Sequence, residues 1–261
     1  MKAGQKINMK YLIIGAGGTG SVTGYYMKKA GKDVTLIARG EHLKKIQKQG
    51  LTLEKMWDKT EENISIPATD MEHYAEHPDV IFVCVKGYSL QETIPFIKRI
   101  ARKNTIVIPV LNIYGTGGKM QKELPDLLVT DGCIYVSANI KEPGKLLQHG
   151  QILHIVFGVR DKAEFRPELK EIQKDLCDSH IDGTLSENIR REALEKFSYV
   201  SPIGAAGLYY HATAADFQKE GEARELFKTM IKEIAALAEA MGVPFQKDMA
   251  EVNLKLLSNR A

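Results

Sequence analysis

A glycine pattern near the start of the chain restricts the fold more than any other feature. An apolar run at residues 11–14 is long enough for a buried parallel strand, and Gly15, Gly17 and Gly20 follow it in G-x-G-x-x-G spacing. In this spacing the first glycine permits a tight turn, the second lets backbone approach a pyrophosphate, and the third allows close packing of a helix on the strand. A second apolar run at residues 34–38 completes the pattern, which predicts the βαβ start of a dinucleotide-binding domain.

The residue that follows the second predicted strand is Arg39. Domains that bind NAD carry an acidic residue there, which hydrogen-bonds the ribose 2′-hydroxyl, whereas a guanidinium grips a 2′-phosphate in a charge-assisted manner. His42, Lys44 and Lys45 add positive character just downstream. The pattern therefore favours NADP(H) over NAD. The alternative is that Arg39 is a solvated residue at a strand end and that the lysines form an exposed helix face.

Length, charge and cysteine usage exclude several protein classes. The chain has 261 residues, enough for one large domain or two modest ones, and its net charge of +3 is small and dispersed, so we predict no nucleic-acid partner. Cys84, Cys133 and Cys177 lie far apart without a CxxC pair, which disfavours a metal site or a disulfide framework and fits a cytoplasmic protein. No apolar run is long enough to cross a bilayer, so we predict no membrane association.

Predicted strands and helices alternate through the first two thirds of the chain. Helices are expected at residues 40–49 and 90–101, with buried strands before and after the second of them, and the turn KEPGK joins two later strands as an antiparallel hairpin. From Ser186, which is a suitable N-cap, the pattern is helical only. We therefore predict an α/β fold, with a Rossmann-like doubly wound sheet at residues 1–183 and an all-helical domain at residues 184–261.

Three polar residues stand where chemistry is expected. Lys86 and Asn112 end two predicted strands, at the sheet edge where ligands of open α/β sheets bind. Lys196 shares a helix face with Ala193 and Val200, and desolvation on such a face lowers the pKa of a lysine toward neutrality, which suits a proton donor. Each has a simpler explanation: Lys86 is a solvated strand terminus, Asn112 caps a turn, and the stem of Lys196 packs while its head reaches water.

The segments GAGGTG, VCVKGYS, LNIYGTGG, ANIKEPGKLLQHG, FG and EALEKF together resemble, in order and spacing, the ketopantoate reductases (2-dehydropantoate 2-reductases) over nearly the whole chain. The resemblance implies hydride transfer from NADPH to the 2-oxo carbon of ketopantoate, which yields pantoate for pantothenate and coenzyme A synthesis. It implies that Lys196 is the catalytic general acid and that Asn112 lies near the nicotinamide and the substrate. The cofactor-binding residues that it implies are Gly15, Gly17, Gly18, Gly20, Arg39, Lys86 and Asn112.

The chain departs from the family pattern in three places. The family's asparagines one and two turns after the catalytic lysine are replaced by Val200 and Gly204, and Asn112 is followed by Ile113 and Tyr114. The chain also stops at KLLSNRA, so we expect a helical domain, for substrate binding and homodimer formation, that is shortened at its C-terminus. Two alternatives therefore stay open: a reductase of a different small 2-oxo acid, or a non-catalytic NADP(H)-binding protein.

Overall fold

The computed structural model describes residues 9–258, which form two compact units. The first unit comprises residues 9–111 and 115–187, and the second comprises residues 112–114 and 188–258. The first unit contains strands and helices, and the described helices of the second unit are its regular secondary structure. The predicted fold class, a Rossmann-like sheet followed by a helical region, is confirmed. The roles predicted for the two parts stay predictions.

Strands and helices alternate along most of the first unit. Its described strands are β1 (Lys10–Ile14), β2 (Asp33–Ile37), β3 (Leu51–Lys55), β4 (Glu61–Ile64), β5 (Ala68–Thr69), β6 (Val80–Val83), β7 (Ile106–Pro109), β8 (Leu128–Val129), β9 (Asp131–Glu142), β10 (Lys145–Gly158) and β11 (Asp182–Leu185). Its described helices are α1 (Gly18–Lys29), α2 (Gly40–Gln49), α3 (Leu90–Ile100), α4 (Thr116–Glu123) and α5 (Glu168–Asp178).

The main sheet of the first unit has six parallel strands in the order β5-β2-β1-β6-β7-β8. Alternate residues of β1 pack on opposite faces: Tyr11 and Ile13 join a core with α1 and α2, whereas Leu12 and Ile14 join a core with α3 and α4. Because both faces are covered, β1 is apolar throughout, which is the pattern from which the sequence predicted a buried parallel strand.

A second sheet packs against the α1 face of the main sheet. Its strands run in the order β11-β10-β3-β4, and β9 pairs with β10 in antiparallel register, as the sequence predicted. The turn of this hairpin contains Gly144, whose φ of +80° is a left-handed conformation that favours glycine. The backbone carbonyl of Gly144 accepts a hydrogen bond from Thr52, so the turn is also held by β3.

The second unit contains the helices α6 (Ile189–Tyr210), α7 (Glu222–Ala240) and α8 (Met249–Ser258) around an apolar core that includes Phe217, Phe227 and Leu257. The predicted N-cap of α6 was wrong. The side chain of Asn188 caps the helix by accepting the N–H of Arg191, whereas the N–H of Ser186 donates to Phe157 and extends the pairing of β11 with β10. Among residues 9–258, no helix has the length and apolar composition of a membrane span.

Candidate cofactor site and catalytic lysine

The glycine loop joins β1 to α1 at the carboxyl edge of the main sheet. Gly15 has a φ of +101°, and a Cβ there would lie 3.0 Å from backbone atoms at the end of β6, so both conformation and space require glycine. The backbone N–H groups of Gly15 and Ala16 both donate to the carbonyl of Ile37 in β2. The loop is therefore held between the ends of the two strands that flank β1.

The other glycines of the loop have different reasons to be glycine. A Cβ on Gly17 would have no heavy atom within 4 Å, whereas a Cβ on Gly20 would collide with the Gly15 carbonyl. A Cβ on Gly18 would lie 2.7 Å from the carbonyl carbon of Ala138 and 2.8 Å from Cα of Asn139, so strand β9 excludes it. Gly17 is the N-cap of α1, and no side chain caps the first turn, which leaves open backbone beside N–H groups suited to a phosphate.

Arg39 and Lys86 lie at the same sheet edge as the glycine loop. Arg39 follows β2 and precedes α2, and Lys86 follows β6; because β2 and β6 are the neighbours of β1, the three strand ends are adjacent. Both side chains are exposed. The structure thus places the predicted glycines, Arg39 and Lys86 along one edge, and their part in cofactor binding stays a prediction.

The predicted positive character of His42 is wrong. Nδ1 of His42 accepts the backbone N–H of Gly144 at 3.0 Å, which requires Nδ1 to be unprotonated. Burial lowers the pKa of His42, and a contact with the backbone of Ala16 only partly opposes this shift. Lys44 forms an ion pair with Glu41 one turn away, at 2.7 Å. Of the four residues that the sequence singled out, Arg39 and Lys45 therefore contribute more positive charge near the strand end than His42 and Lys44 do.

Asn112 and Lys196, the other two predicted site residues, belong to the second unit. Asn112 is exposed, and the ring of Tyr114 packs on Phe197 with their centroids 6.4 Å apart. Lys196 is 7% exposed, and its Nζ lies 5.4 Å from the ring centroid of Tyr199. The helical spacing correctly predicted that Lys196 lies on a buried face of α6, where an ammonium is costly unless it is paired or hydrogen-bonded.

The two positions that depart from the family pattern differ in their surroundings. Val200 packs against the apolar core of the second unit. Gly204 is exposed, and a Cβ there would have no heavy atom within 4 Å. The backbone at Gly204 therefore has room for a side chain, whereas Val200 contributes to packing.

The sequence reasoning missed the part that the β9–β10 hairpin plays beside the glycine loop. Ala138 abuts Gly18, and Gly144 bonds His42. The turn signal KEPGK predicted the hairpin itself, but no local signal relates it to residues more than 100 positions earlier.

Comparisons with known proteins agree with the fold and the order of these elements. The family described as ketopantoate reductase PanE/ApbA matches residues 11–162, and the family described as its C-terminal domain matches residues 188–261. A Bacillus subtilis protein named uncharacterized oxidoreductase YkpB is 21% identical over 96% of this chain and 82% of its own length. A 2-dehydropantoate 2-reductase of Pyrococcus horikoshii is 31% identical over 76% of this chain, a match that spans 64% of the Pyrococcus protein.

Solved structures show the same fold at low sequence identity. A D-mandelate dehydrogenase in ternary complex with NADH and anilino(oxo)acetate superposes with a TM-score of 0.85 at 20% identity, covering 95% of this chain and 80% of that one. A PanE/ApbA family ketopantoate reductase from Ralstonia eutropha gives a TM-score of 0.84 at 22% identity, covering 96% and 81%.

Proposed function

The chain belongs to the ketopantoate reductase family, and from this premise we propose that it reduces a small 2-oxo acid with NADPH, with 2-dehydropantoate as the first substrate to test. The product of that reaction is pantoate, which would place the protein in pantothenate biosynthesis, in the cytoplasm. The observation that carries the proposal is the buried Lys196 in a chain that also has an open glycine loop and an arginine after β2.

The first unit supports a nicotinamide dinucleotide as the cofactor. Open backbone at Gly17 leaves space for a diphosphate, and the first turn of α1 offers uncapped N–H groups to its oxygens. The guanidinium of Arg39 is exposed at the position that reads the 2′ substituent. These features fit NADPH, because the residue after β2 that is acidic in NAD-binding domains is Arg39 here, and the carboxylate of Glu41 downstream is paired with Lys44.

In the proposed reaction Lys196 is the proton donor. When bound, the cofactor supplies a hydride to the 2-oxo carbon. As the carbonyl π bond breaks, its electron pair moves to oxygen, and Lys196 transfers a proton from Nζ to that oxygen to complete the alcohol. The amine then regains a proton from water. Asn112 would orient the substrate or the carboxamide of the cofactor through its side-chain amide.

The test is to measure NADPH oxidation with 2-dehydropantoate for the wild type, Lys196→Ala and Lys196→Arg. We expect Lys196→Ala to lower kcat by about 10²–10⁴-fold, the usual value of general acid catalysis, with little change in NADPH affinity. Lys196→Arg keeps the positive charge but cannot give up a proton, so it should also be inactive. Equal loss of turnover and of NADPH binding in both variants would refute the role of proton donor.

Cofactor choice is tested separately at Arg39. Comparing dissociation constants of NADPH and NADH should show a preference for NADPH in the wild type that Arg39→Ala removes. Because this arginine is exposed, we take the low end of a charged hydrogen bond, about 1.5 kcal/mol, which corresponds to roughly tenfold in the ratio. An unchanged ratio would contradict the role of Arg39.

A second candidate function is the reduction of a different 2-oxo acid. It is favoured by Val200 and Gly204, which remove two amide groups from the face of α6 that bears Lys196, and by the likeness to a D-mandelate dehydrogenase. A panel of 2-oxo acids with aliphatic, hydroxylated and aromatic side chains distinguishes the two.

Gly204→Asn is a suitable variant, because the position has space for a side chain. It should improve kcat/KM for 2-dehydropantoate if that substrate needs the missing amide. Failure of every substrate to be reduced, with NADPH still bound, would favour a non-catalytic NADP(H)-binding protein.

A further inference from the structure

We propose that His42 is a positioning residue of the cofactor site: its neutral imidazole bridges the hairpin turn at Gly144 and the glycine loop at Ala16, and so fixes the loop that receives the diphosphate. The inference rests on the proposed function only in that the bound molecule is NADPH. It is supported by an observation that does not depend on the cofactor: a half-buried histidine lies between two backbone segments.

The hairpin side of the bridge is well defined. His42 is the third residue of α2, and its Nδ1 accepts the backbone N–H of Gly144 at 3.0 Å. Gly144 is itself constrained, because its φ is +80° and its carbonyl accepts the N–H of Thr52 at 2.9 Å. The imidazole is therefore attached to a rigid point of the second sheet.

The loop side of the bridge follows from the tautomer. Since Nδ1 accepts a hydrogen bond, the proton of the neutral ring is on Nε2, which must act as a donor. Nε2 is buried and, among the described residues, has no hydrogen bond of ordinary geometry, although the ring contacts the backbone of Ala16. The N–H of Ala16 already donates to Ile37 at 3.0 Å, so the group of Ala16 that remains available is its carbonyl. An N–H donor buried beside that carbonyl favours the loop conformation that approaches it.

A second contact places the same hairpin behind the same loop. Gly18, the first residue of α1, lies so close to Ala138 and Asn139 of β9 that a Cβ cannot be accommodated. The loop is thus backed by the hairpin at both ends, through His42 before Gly17 and through β9 after it. Gly17, between the two contacts, has open space on its Cα. This arrangement holds the backbone rigid where a diphosphate would bind, so less ordering is needed on binding.

Three substitutions of His42 separate the two halves of the bridge. In His42→Asn the amide oxygen stands near the position of Nδ1 and keeps the acceptor for Gly144, but no donor reaches Ala16. In His42→Gln the longer side chain places an amide N–H near the position of Nε2 and restores the donor. His42→Ala removes both. His73→Gln serves as the control, because His73 is exposed and bonds only its neighbour Asp70 among the described residues.

For each variant the dissociation constants of NADPH and of 2′-AMP, which has no diphosphate, are measured together with urea unfolding of the free protein. We expect His42→Ala and His42→Asn to weaken NADPH binding about tenfold, as for loss of one or two neutral hydrogen bonds, and His42→Gln to retain it within about threefold. Binding of 2′-AMP and the behaviour of His73→Gln should stay unchanged, and the order of NADPH affinities should not follow the order of unfolding midpoints.

Several outcomes would overturn the inference. NADPH affinity equal to that of the wild type in all three variants shows that His42 does not position the loop. Equal weakening of NADPH and 2′-AMP shows that His42 acts through α2 and Arg39 instead. If affinity follows stability, with His42→Asn no worse than His42→Gln, the residue is only structural. A wild-type protein that binds neither NADPH nor 2′-AMP refutes the cofactor proposal itself, and the inference about His42 is rejected with it.

Discussion

Gly18→Ala should lower the stability of the protein, whereas Gly17→Ala should lower its affinity for NADPH, although the two glycines are adjacent in one motif. A Cβ on Gly18 would lie 2.7 and 2.8 Å from backbone atoms of Ala138 and Asn139, and backbone cannot move aside as a flexible side chain can. A Cβ on Gly17 would meet nothing within 4 Å. The first substitution therefore destabilises the folded protein, and the second should affect ligand binding without affecting stability.

The magnitude for Gly18→Ala follows from two opposing effects. Overpacking of this kind costs about 1–3 kcal/mol, and contact with backbone places it near the upper end. Alanine regains at most about 1 kcal/mol of helix propensity at this first position of α1. A net loss of about 2 kcal/mol should lower Tm by roughly 4–8 °C for a unit of this size. Gly17→Ala should leave Tm within the range of about 0.5 kcal/mol that is usual for surface changes.

Both variants are compared with the wild type by thermal unfolding of the free protein and by NADPH titration. We expect Gly17→Ala to weaken NADPH binding about tenfold or more, because the added methyl group occupies the space of the diphosphate. Two results would refute the reasoning. If Gly18→Ala melts like the wild type, β9 does not constrain the loop; if Gly17→Ala binds NADPH normally, the open space at Gly17 is not where the cofactor lies.

Three further predictions concern stability. Asp175→Ala should destabilise the first unit by about 2–3 kcal/mol in urea unfolding, because it leaves the 11%-exposed Lys32 with the more distant carboxylate of Asp178, at 3.3 Å, and removes the acceptor of the Tyr11 hydroxyl. Stability equal to that of the wild type would contradict this reasoning. Hydrogen bonds from the backbone and hydroxyl of Thr213, assisted by Lys219, lower the pKa of Asp216 to about 2 from 3.8. The contribution of Asp216 to stability is therefore present above the unfolded pKa and is lost as the pH falls through about 4 to 2. The Tm difference between the wild type and Asp216→Ala should shrink over that pH range. Asn188→Ala should cost about 1 kcal/mol by removing the cap of α6, measured by urea unfolding. A loss no larger than that of an alanine substitution at an exposed position would contradict the cap.

The fold could be predicted from the sequence because its signals are local. The strand that ends before Gly15 is an uninterrupted apolar run, and helix α2 begins and ends at the residues that were predicted, Gly40 and Gln49, between Arg39 and a glycine at position 50 that has a φ of +79°. The apolar face on which Lys196 lies could also be predicted, since helical spacing alone relates it to its apolar neighbours, but the spacing does not decide whether the ammonium reaches water. The structure shows that the side chain is buried.

The errors arose where a distant partner decides between local options. Ser186 and Asn188 are both good N-cap residues. The bond from the N–H of Ser186 to Phe157 continues the strand pairing through residue 186, so α6 begins later, after Asn188. The sequence predicts positive character at His42 and the two lysines after it, but the N–H of Gly144, 102 residues later, requires Nδ1 of His42 to be unprotonated. Neither partner is adjacent in the sequence, so no periodicity or motif could indicate it.

The glycine motif itself combines both kinds of information, which changes what its spacing means in this chain. Gly15 and Gly20 are required by the turn, since Gly15 has a φ of +101° and a Cβ on Gly20 would collide with the carbonyl of Gly15, five residues earlier in the chain. Gly18 is required by the hairpin, and only Gly17 is left open toward a ligand. The conformation of the loop is thus set mainly by contacts within the protein. Its affinity for a dinucleotide then depends on how firmly the surrounding elements hold that conformation. That dependence is why the hairpin, which bears none of the predicted cofactor residues, is expected to influence NADPH binding as strongly as Gly17 and Arg39.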